Sequence, residues 1–399
     1  MSVIAPPGPV VRTARNAVFT AFAVNGAAFA ALASRVPDIK HELGLTAGEL
    51  GLTLFALSIG AVVGLPLSGW FVHRFGSARA ALGAATVQVL GLVVVGLAVT
   101  TLTSRGVAMA GLLLVGFGSG VFDVAMNLEG ASVERHLSRS IMPRFHAAFS
   151  GGTVVSALVG AGLSFLHVSV LMHFVAAAVL LLLVTPWFLR AFLARGVEDG
   201  AADDPGPGRA RAGIASAWRE PRTILIGVVV FAAAFTEGTA NDWIGVALSD
   251  GYDLPRWAGV LGFAVFLTAM TAGRILGTRL LDRHGRLPVL RVLYVAAVAG
   301  SILVVLGGPA LAFIGAAVWG VGASLGFPVG MSAAADEPRR APARMSVVST
   351  IGYTAFIAGP PLLGFLGDHV GILRSLLVVG GMAALALAAL PAVREPNRP

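Results

Sequence analysis

The stretch VAMAGLLLVGFGSGVFDVAMNLEGASVER, Val107 to Arg135, has the make-up of a membrane helix with a carboxylate inside it. From Val107 to Val121 it is apolar and rich in glycine. Asp123 and Asn127 then follow four residues apart, a spacing that stacks both side chains on one helix face. A carboxylate at that depth costs about 2.5–3.5 kcal/mol on insertion scales. It is tolerated facing a wet, protein-lined cavity, or as a protonated acid, and either role belongs to a solute or proton path. The plain alternative is a structural hydrogen bond between two helices.

Composition agrees with a membrane reading. The 399 residues are 56% hydrophobic and only 12% charged, where soluble domains run near about 25% charged. Glycine makes up 51 residues, as expected where helices approach closely in lipid. The absence of cysteine excludes disulfides, thiol catalysis and cysteine-based metal sites. The net charge of +8 is scattered in short basic tufts between apolar runs, so it does not point to nucleic acid.

Apolar runs of about 20 residues, each long enough to span a ~30 Å core, recur twelve times. They fall near 16–34, 50–72, 80–100, 107–128, 145–166, 170–190, 222–244, 257–279, 289–307, 309–333, 345–366 and 372–392. The longest connection contains VEDGAADDPGPGRARAG, a solvated linker by its glycine, proline and charge. The expected organisation is therefore an N-terminal tail (1–15), a six-helix half (16–190), a linker (191–221), a second six-helix half (222–393) and a short tail (394–399). IASAWREPR, before the seventh run, reads as an amphipathic surface stretch. The ALAS ending of the first run faintly resembles a signal-peptidase site, but eleven further runs argue that it stays attached.

Of the 28 basic residues, 22 fall on the side of the termini, five (Arg35, Lys40, Arg105, Arg256, Arg374) on the other, and Arg274 lies within a run. The positive-inside rule then puts both termini in the cytoplasm. The two halves also repeat. Asn25-Gly26 returns as Glu237-Gly238 at an offset of 212, AGELG (Ala47–Gly51) as AGVLG (Ala258–Gly262) at 211, and HRFG (His73–Gly76) as DRHG (Asp282–Gly285) at 209. Parallel repeats related by an axis along the membrane normal fit one transporter architecture.

At these residues the chain resembles the major facilitator superfamily (MFS). GWFVHRFGSAR matches the superfamily's loop motif at Gly69, Arg74, Gly76 and Arg79, with His73 where aspartate is usual. The second copy, GTRLLDRHGR, keeps Asp282, Arg283, Gly285 and Arg286, with Gly277 one place early. The resemblance implies an all-α fold of twelve transmembrane helices and a conformational latch at both loops; His73 weakens the first latch and makes it pH-sensitive. Within the superfamily, EGTANDW (Glu237–Trp243), GASLGFP (Gly322–Pro328), RMSVVSTIGYTAF (Arg344–Phe356) and GPPLLGFLG (Gly359–Gly367) resemble a bacterial branch related to fucose permease, the YbjJ-type inner-membrane proteins. Asp123-x-x-x-Asn127 resembles that group's helix-4 element, whose acid is implicated in proton coupling beside a sugar site. The sugar permeases carry an aspartate shortly before a proline at the outer end of helix 1. Here that place reads Ala33-Ser34-Arg35-Val36-Pro37, which argues against fucose itself.

The candidate cavity residues follow. Asp123 is the first choice for the coupling group, about 9 Å past the middle of its helix toward the cytoplasm at 1.5 Å per residue. Glu237, with Asn241 four residues on, is the second; Glu237 is the repeat mate of Asn25, and helices 1 and 7 line the cavity in the superfamily. His146, four residues before Ser150, could take a proton from Asp123, against a plain interfacial role. Tyr353 and Thr350 supply hydroxyls. Glu129 is expected at the cytoplasmic interface, Glu134 and Arg135 in a loop charge network, and Asp242 and Trp243 at the cavity mouth and headgroup level. Arg274 is expected to snorkel or join the latch rather than to pair with a cavity acid. Gly359-Pro360-Pro361 and Phe327-Pro328 are expected to break their helices, and Gly60-x-x-x-Gly64 and Gly116-x-x-x-Gly120 to form close-packing surfaces.

No Gly-Lys-Ser/Thr phosphate loop, metal-spaced histidine set or G-x-S-x-G elbow is present, so no ATP drive, metal, cofactor or enzyme activity is expected. The expected function is secondary transport of a small solute, sugar-like or another polar metabolite, across a bacterial inner membrane by a monomer coupled to protons. Proton-driven efflux of drugs or metabolites is the alternative. A membrane sensor fits less well, because the sequence between the runs offers no soluble output domain.

Overall fold

The computed structural model describes residues 8–137, 141–193, 214–337 and 339–395. Most of the expected linker, and both chain ends, lie outside the described residues. Twelve helices are long and apolar enough to cross a membrane: α1 (Pro9–Glu42), α2 (Ala47–Phe75), α3 (Ser77–Leu102), α4 (Arg105–Leu137), α5 (Met142–Phe165), α6 (Val170–Leu189), α7 (Pro221–Gly251), α8 (Arg256–His284), α9 (Arg286–Leu306), α10 (Gly308–Ala334), α11 (Ala341–Val370) and α12 (Ile372–Val393). Each contains one of the twelve apolar runs, and the all-α expectation is borne out. The chain forms two compact units: Met1–Leu45 with Thr53–Ala201, and Ala202–Pro399 with the opening turn of α2, Thr46–Leu52.

In the first unit, α1 packs on α5 and α4 on α3. Glycine decides how closely α2 and α4 cross. A methyl group on Gly60 would lie 2.8 Å from the backbone nitrogen of Phe117, and one on Gly116 would lie 2.9 Å from that of Ala61. Both distances are below van der Waals contact, so only glycine admits this approach. Phe22, Phe122, Phe145 and Phe188 fill the core nearer the termini, and Leu32, Ile39, Leu92 and Phe174 fill the other end. The outer faces are as apolar as the interior: Leu180, Leu183 and Trp187 of α6 stand exposed, as surfaces facing acyl chains do.

Two helices carry local breaks that matter. α1 breaks between Ala33 and Val36, where Pro37 opens a new turn with Asp38 in it. α10 breaks at Ser324-Leu325, between Gly308–Ala323 and Gly326–Ala334. Pro328 is the physical cause: it has no N–H to give to the carbonyl four residues back, which is that of Ser324. The break expected at Gly359-Pro360-Pro361 does not occur. α11 is continuous from Ala341 to Val370 with both prolines inside it. Prolines hold a helix-compatible φ, and lost backbone bonds are tolerated in membrane helices where neighbours re-satisfy the freed groups.

Candidate functional site

Each unit holds a polar patch built around an acid singled out in the sequence. In the first, the Asn127 side-chain amide donates to the Asp123 backbone carbonyl at 2.8 Å and to its carboxylate at 3.3 Å. The four-residue spacing does what helix geometry requires. Asp123 is half-buried, and no basic side chain among the described residues pairs with it. On the facing helix α1, Asn25 is buried. Its amide donates only to the Met126 sulfur at 3.8 Å, and its Oδ1 has no donor. Met126 lies three residues beyond Asp123, so Asn25 meets the turn that carries the acid. His146 is exposed and packs edge-on against Phe22, ring centroids 5.0 Å apart.

In the second unit, Glu237 is paired. Arg274 of α8 donates from Nη2 to Glu237 Oε2 at 2.9 Å and from Nε to the Ser324 carbonyl at 3.2 Å. The snorkelling role expected for Arg274 is corrected. Its guanidinium stays at depth because α10, broken by Pro328, leaves the Ser324 carbonyl without its helical donor. Asn241, one turn on from Glu237, has a buried Oδ1 with no donor. Tyr353 is partly exposed and packs near Phe327 and Phe356, with centroids 6.2 and 6.4 Å away. Trp243, expected at headgroup level, is instead fully buried inside the unit, and Asp242 beside it is half-buried.

Three groups escaped sequence reasoning. The first is a sealed cluster at the α1 break. Arg35 donates from Nη1 to Asp38 at 2.8 Å and from Nε to His173 Nδ1 at 3.0 Å, and Ser164 donates to Asp38 at 3.4 Å. Arg35 and Asp38 are 2% and 7% exposed. Asp38 one residue after Pro37 is a helix-start signature that could have flagged it. The second is Glu129, expected at an interface but fully buried, where it accepts from the Leu193 backbone N–H at 2.6 Å. Glu134, expected in a loop charge network, accepts the Ile141 and Met142 N–H groups at the start of α5.

The third is the partner set of Arg286 in the second copy of the repeated loop. Gly69, His73, Arg74 and Arg79 of the first copy are exposed, with Arg74 5.5 Å from the Phe75 ring centroid. Gly76 and Gly285 take φ 82° and 75°, the left-handed turns that join α2 to α3 and α8 to α9 and that favour glycine. Asp282 and Arg283 are exposed. Arg286 bonds Asp336 at 2.8 Å, Ser332 at 3.0 Å and, through its backbone N–H, Glu395 at 3.2 Å. Arg222 joins the same Asp336 at 2.7 Å.

This architecture matches known proteins over nearly its whole length. An uncharacterized MFS-type transporter of Yersinia pestis is 33% identical over 371 residues, covering 92% of this chain and 91% of its own. The crystal structure of the nucleoside transporter NupG superimposes with a TM-score of 0.74 at 15% identity, covering 97% of this chain and 99% of that one. The Escherichia coli fucose:proton symporter superimposes with a TM-score of 0.65 at 14% identity, covering 96% and 98%. At such identities the two structures speak for the fold alone. The sequence model of the Major Facilitator Superfamily matches residues 18–337 and 259–399. With twelve membrane-length helices, two polar patches and these matches, the chain is a multi-pass membrane transporter that belongs to the Major Facilitator Superfamily.

Proposed function

We propose that the chain moves a small polar solute, sugar-like or another metabolite, across a bacterial inner membrane in company with protons. Both termini lie in the cytoplasm, and a monomer works by alternating access, one six-helix half (16–190) moving against the other (222–393). The single observation that carries the reading is the contrast between two of the intramembrane acids. Glu237 is neutralised by Arg274 at 2.9 Å, whereas Asp123, among the described residues, bonds a neutral amide and no basic side chain. An acid that no cation compensates is the one that gains most by carrying a proton across an apolar span. Asp123 is therefore the coupling group, Asn127 orients it, and Asn25 offers a free acceptor to a solute hydroxyl. Glu237, Asn241 and Tyr353 are the polar candidates of the second unit, and His146 is exposed in the first. The loops at Gly69–Arg79 and Asp282–Arg286 act as the latch.

One proton entering down about 100 mV releases about 2.3 kcal/mol, and one pH unit adds about 1.4 kcal/mol. Together these permit accumulation of several hundred fold. Transport into vesicles tests the reading. Asp123→Asn loses uphill accumulation and keeps solute exchange; unchanged accumulation in this variant refutes it.

A further inference from the structure

The arginine–acid pairs Arg35–Asp38 and Arg274–Glu237 both lie within membrane-length helices, and they differ in one respect that matters. Arg35–Asp38 is shut away, 2% and 7% exposed, with a histidine and a serine closing around it. Arg274–Glu237 is less enclosed, at 30% and 20% exposed. Neither pair is needed for stability, because burying two charges costs about as much as their attraction returns. An accessible pair at membrane depth is a functional site by default.

The geometry points to a particular ligand. We infer that the solute site of the second unit takes a carboxylate, and that Glu237 holds the place of that carboxylate while the site is empty. Arg274 is anchored from behind by the Ser324 carbonyl at 3.2 Å, so its guanidinium is fixed while the partner in front of it can change. A guanidinium fork fits a carboxylate better than any neutral group, and the present partner is itself a carboxylate. Asn241, four residues from Glu237 on the same helix face, has a buried Oδ1 that accepts from nothing. The solute therefore also carries a hydrogen-bond donor near its acid, as a hydroxy acid does.

The solute carboxylate takes over the contact to Arg274 and displaces Glu237 from it. Asn241 and Glu237 sit on α7, Arg274 on α8 and the Ser324 carbonyl on α10. The inference rests on the transport reading above but names the class of its solute.

The test uses the purified full-length protein in lipid nanodiscs. Hydroxycarboxylates of about two to six carbons are titrated against their matching carboxamides. Proton uptake is read by calorimetry in two buffers of different ionisation heat. The wild type is expected to bind at least one carboxylate at least tenfold more tightly than its amide, with proton uptake. Glu237→Gln removes the internal competitor. It is expected to bind the same carboxylate about tenfold more tightly still. Arg274→Gln is expected to abolish binding, with Arg274→Lys restoring part of it. The inference is overturned if no carboxylate outdoes its amide, or if Glu237→Gln loses binding as Arg274→Gln does. Asp123→Asn separates the two readings. A neutral sugar whose proton uptake needs Asp123, with no carboxylate effect, leaves the transport reading standing and removes this one. Carboxylate binding with the full proton uptake intact in Asp123→Asn does the opposite.

Discussion

Asp38→Asn keeps the shape of the sealed cluster at the α1 break and removes its negative charge. Arg35 is then a cation only 2% exposed, with a neutral amide, the His173 ring nitrogen at 3.0 Å and no other partner. Its Nη2 already lacks an acceptor, so no spare hydrogen bond can take up the loss. Opposite charges about 4 Å apart attract by about 4 kcal/mol at an effective dielectric constant of about 20. Removing one member of a buried pair costs about 3–5 kcal/mol in measured cases. We therefore expect Asp38→Asn to destabilise the protein by about 3–5 kcal/mol. The double variant Arg35→Met with Asp38→Asn removes both charges and should lie within about 2 kcal/mol of wild type, the residue being lost hydrogen bonds to His173. Reversible unfolding in mixed detergent micelles, followed by tryptophan fluorescence, measures both. A single variant within about 1 kcal/mol of wild type, or a double variant less stable than the single one, would refute the reasoning.

Four further outcomes follow from the packing and the ion pairs. Gly116→Ala drives a methyl group against the α2 backbone at Leu57 and Ala61, and should cost about 1–3 kcal/mol in the same assay. Asp336, 8% exposed, bonds both Arg222 and Arg286, so Asp336→Asn leaves two guanidinium groups facing each other and should cost about 2–4 kcal/mol. Glu395 is 53% exposed and 3.9 Å from the Arg286 Nε, so Glu395→Gln should change stability by under about 0.5 kcal/mol. Glu220 stands just before α7: burial pushes its carboxyl up, but hydrogen bonds from Arg344 and Thr223 and the charges of Arg344 and Arg340 outweigh this and hold it below the usual 4.5. Its ion pairs stabilise the protein above that value and are lost as the pH falls through its lowered pKa. The stability gap between wild type and Glu220→Gln should be full at pH 7 and close in acid.

The twelve helices were legible because a bilayer fixes the length of an apolar run, and the glycine pairs because close crossing leaves no room for a Cβ. The Asp123–Asn127 bond was legible because it is local: four residues on one helix meet whatever the rest of the chain does. What could not be read is what joins distant segments. Arg35 and His173 are 138 positions apart, and Arg274 and Glu237 are 37 apart, and no spacing rule couples either pair. Arg35 looked like a loop charge because the second turn of α1 is only seven residues long. Trp243 looked like an interfacial anchor because tryptophan favours that depth, yet the second unit encloses it. The α10 break was foreseen from Pro328. Its consequence, a bare Ser324 carbonyl that holds Arg274 at depth, needed the neighbouring helix in place.

Proton binding on addition of solute is the most direct test of the central claim. Purified wild type and Asp123→Asn are placed in weakly buffered medium, and pH is recorded as monosaccharides, nucleosides, small hydroxycarboxylates and hydrophobic cations are added in turn. Proton uptake with a small polar solute in the wild type, lost in Asp123→Asn while the solute still raises the melting temperature, is the predicted result. A solute that stabilises both proteins equally with no pH change in either would contradict the claim and leave Asp123 a structural residue.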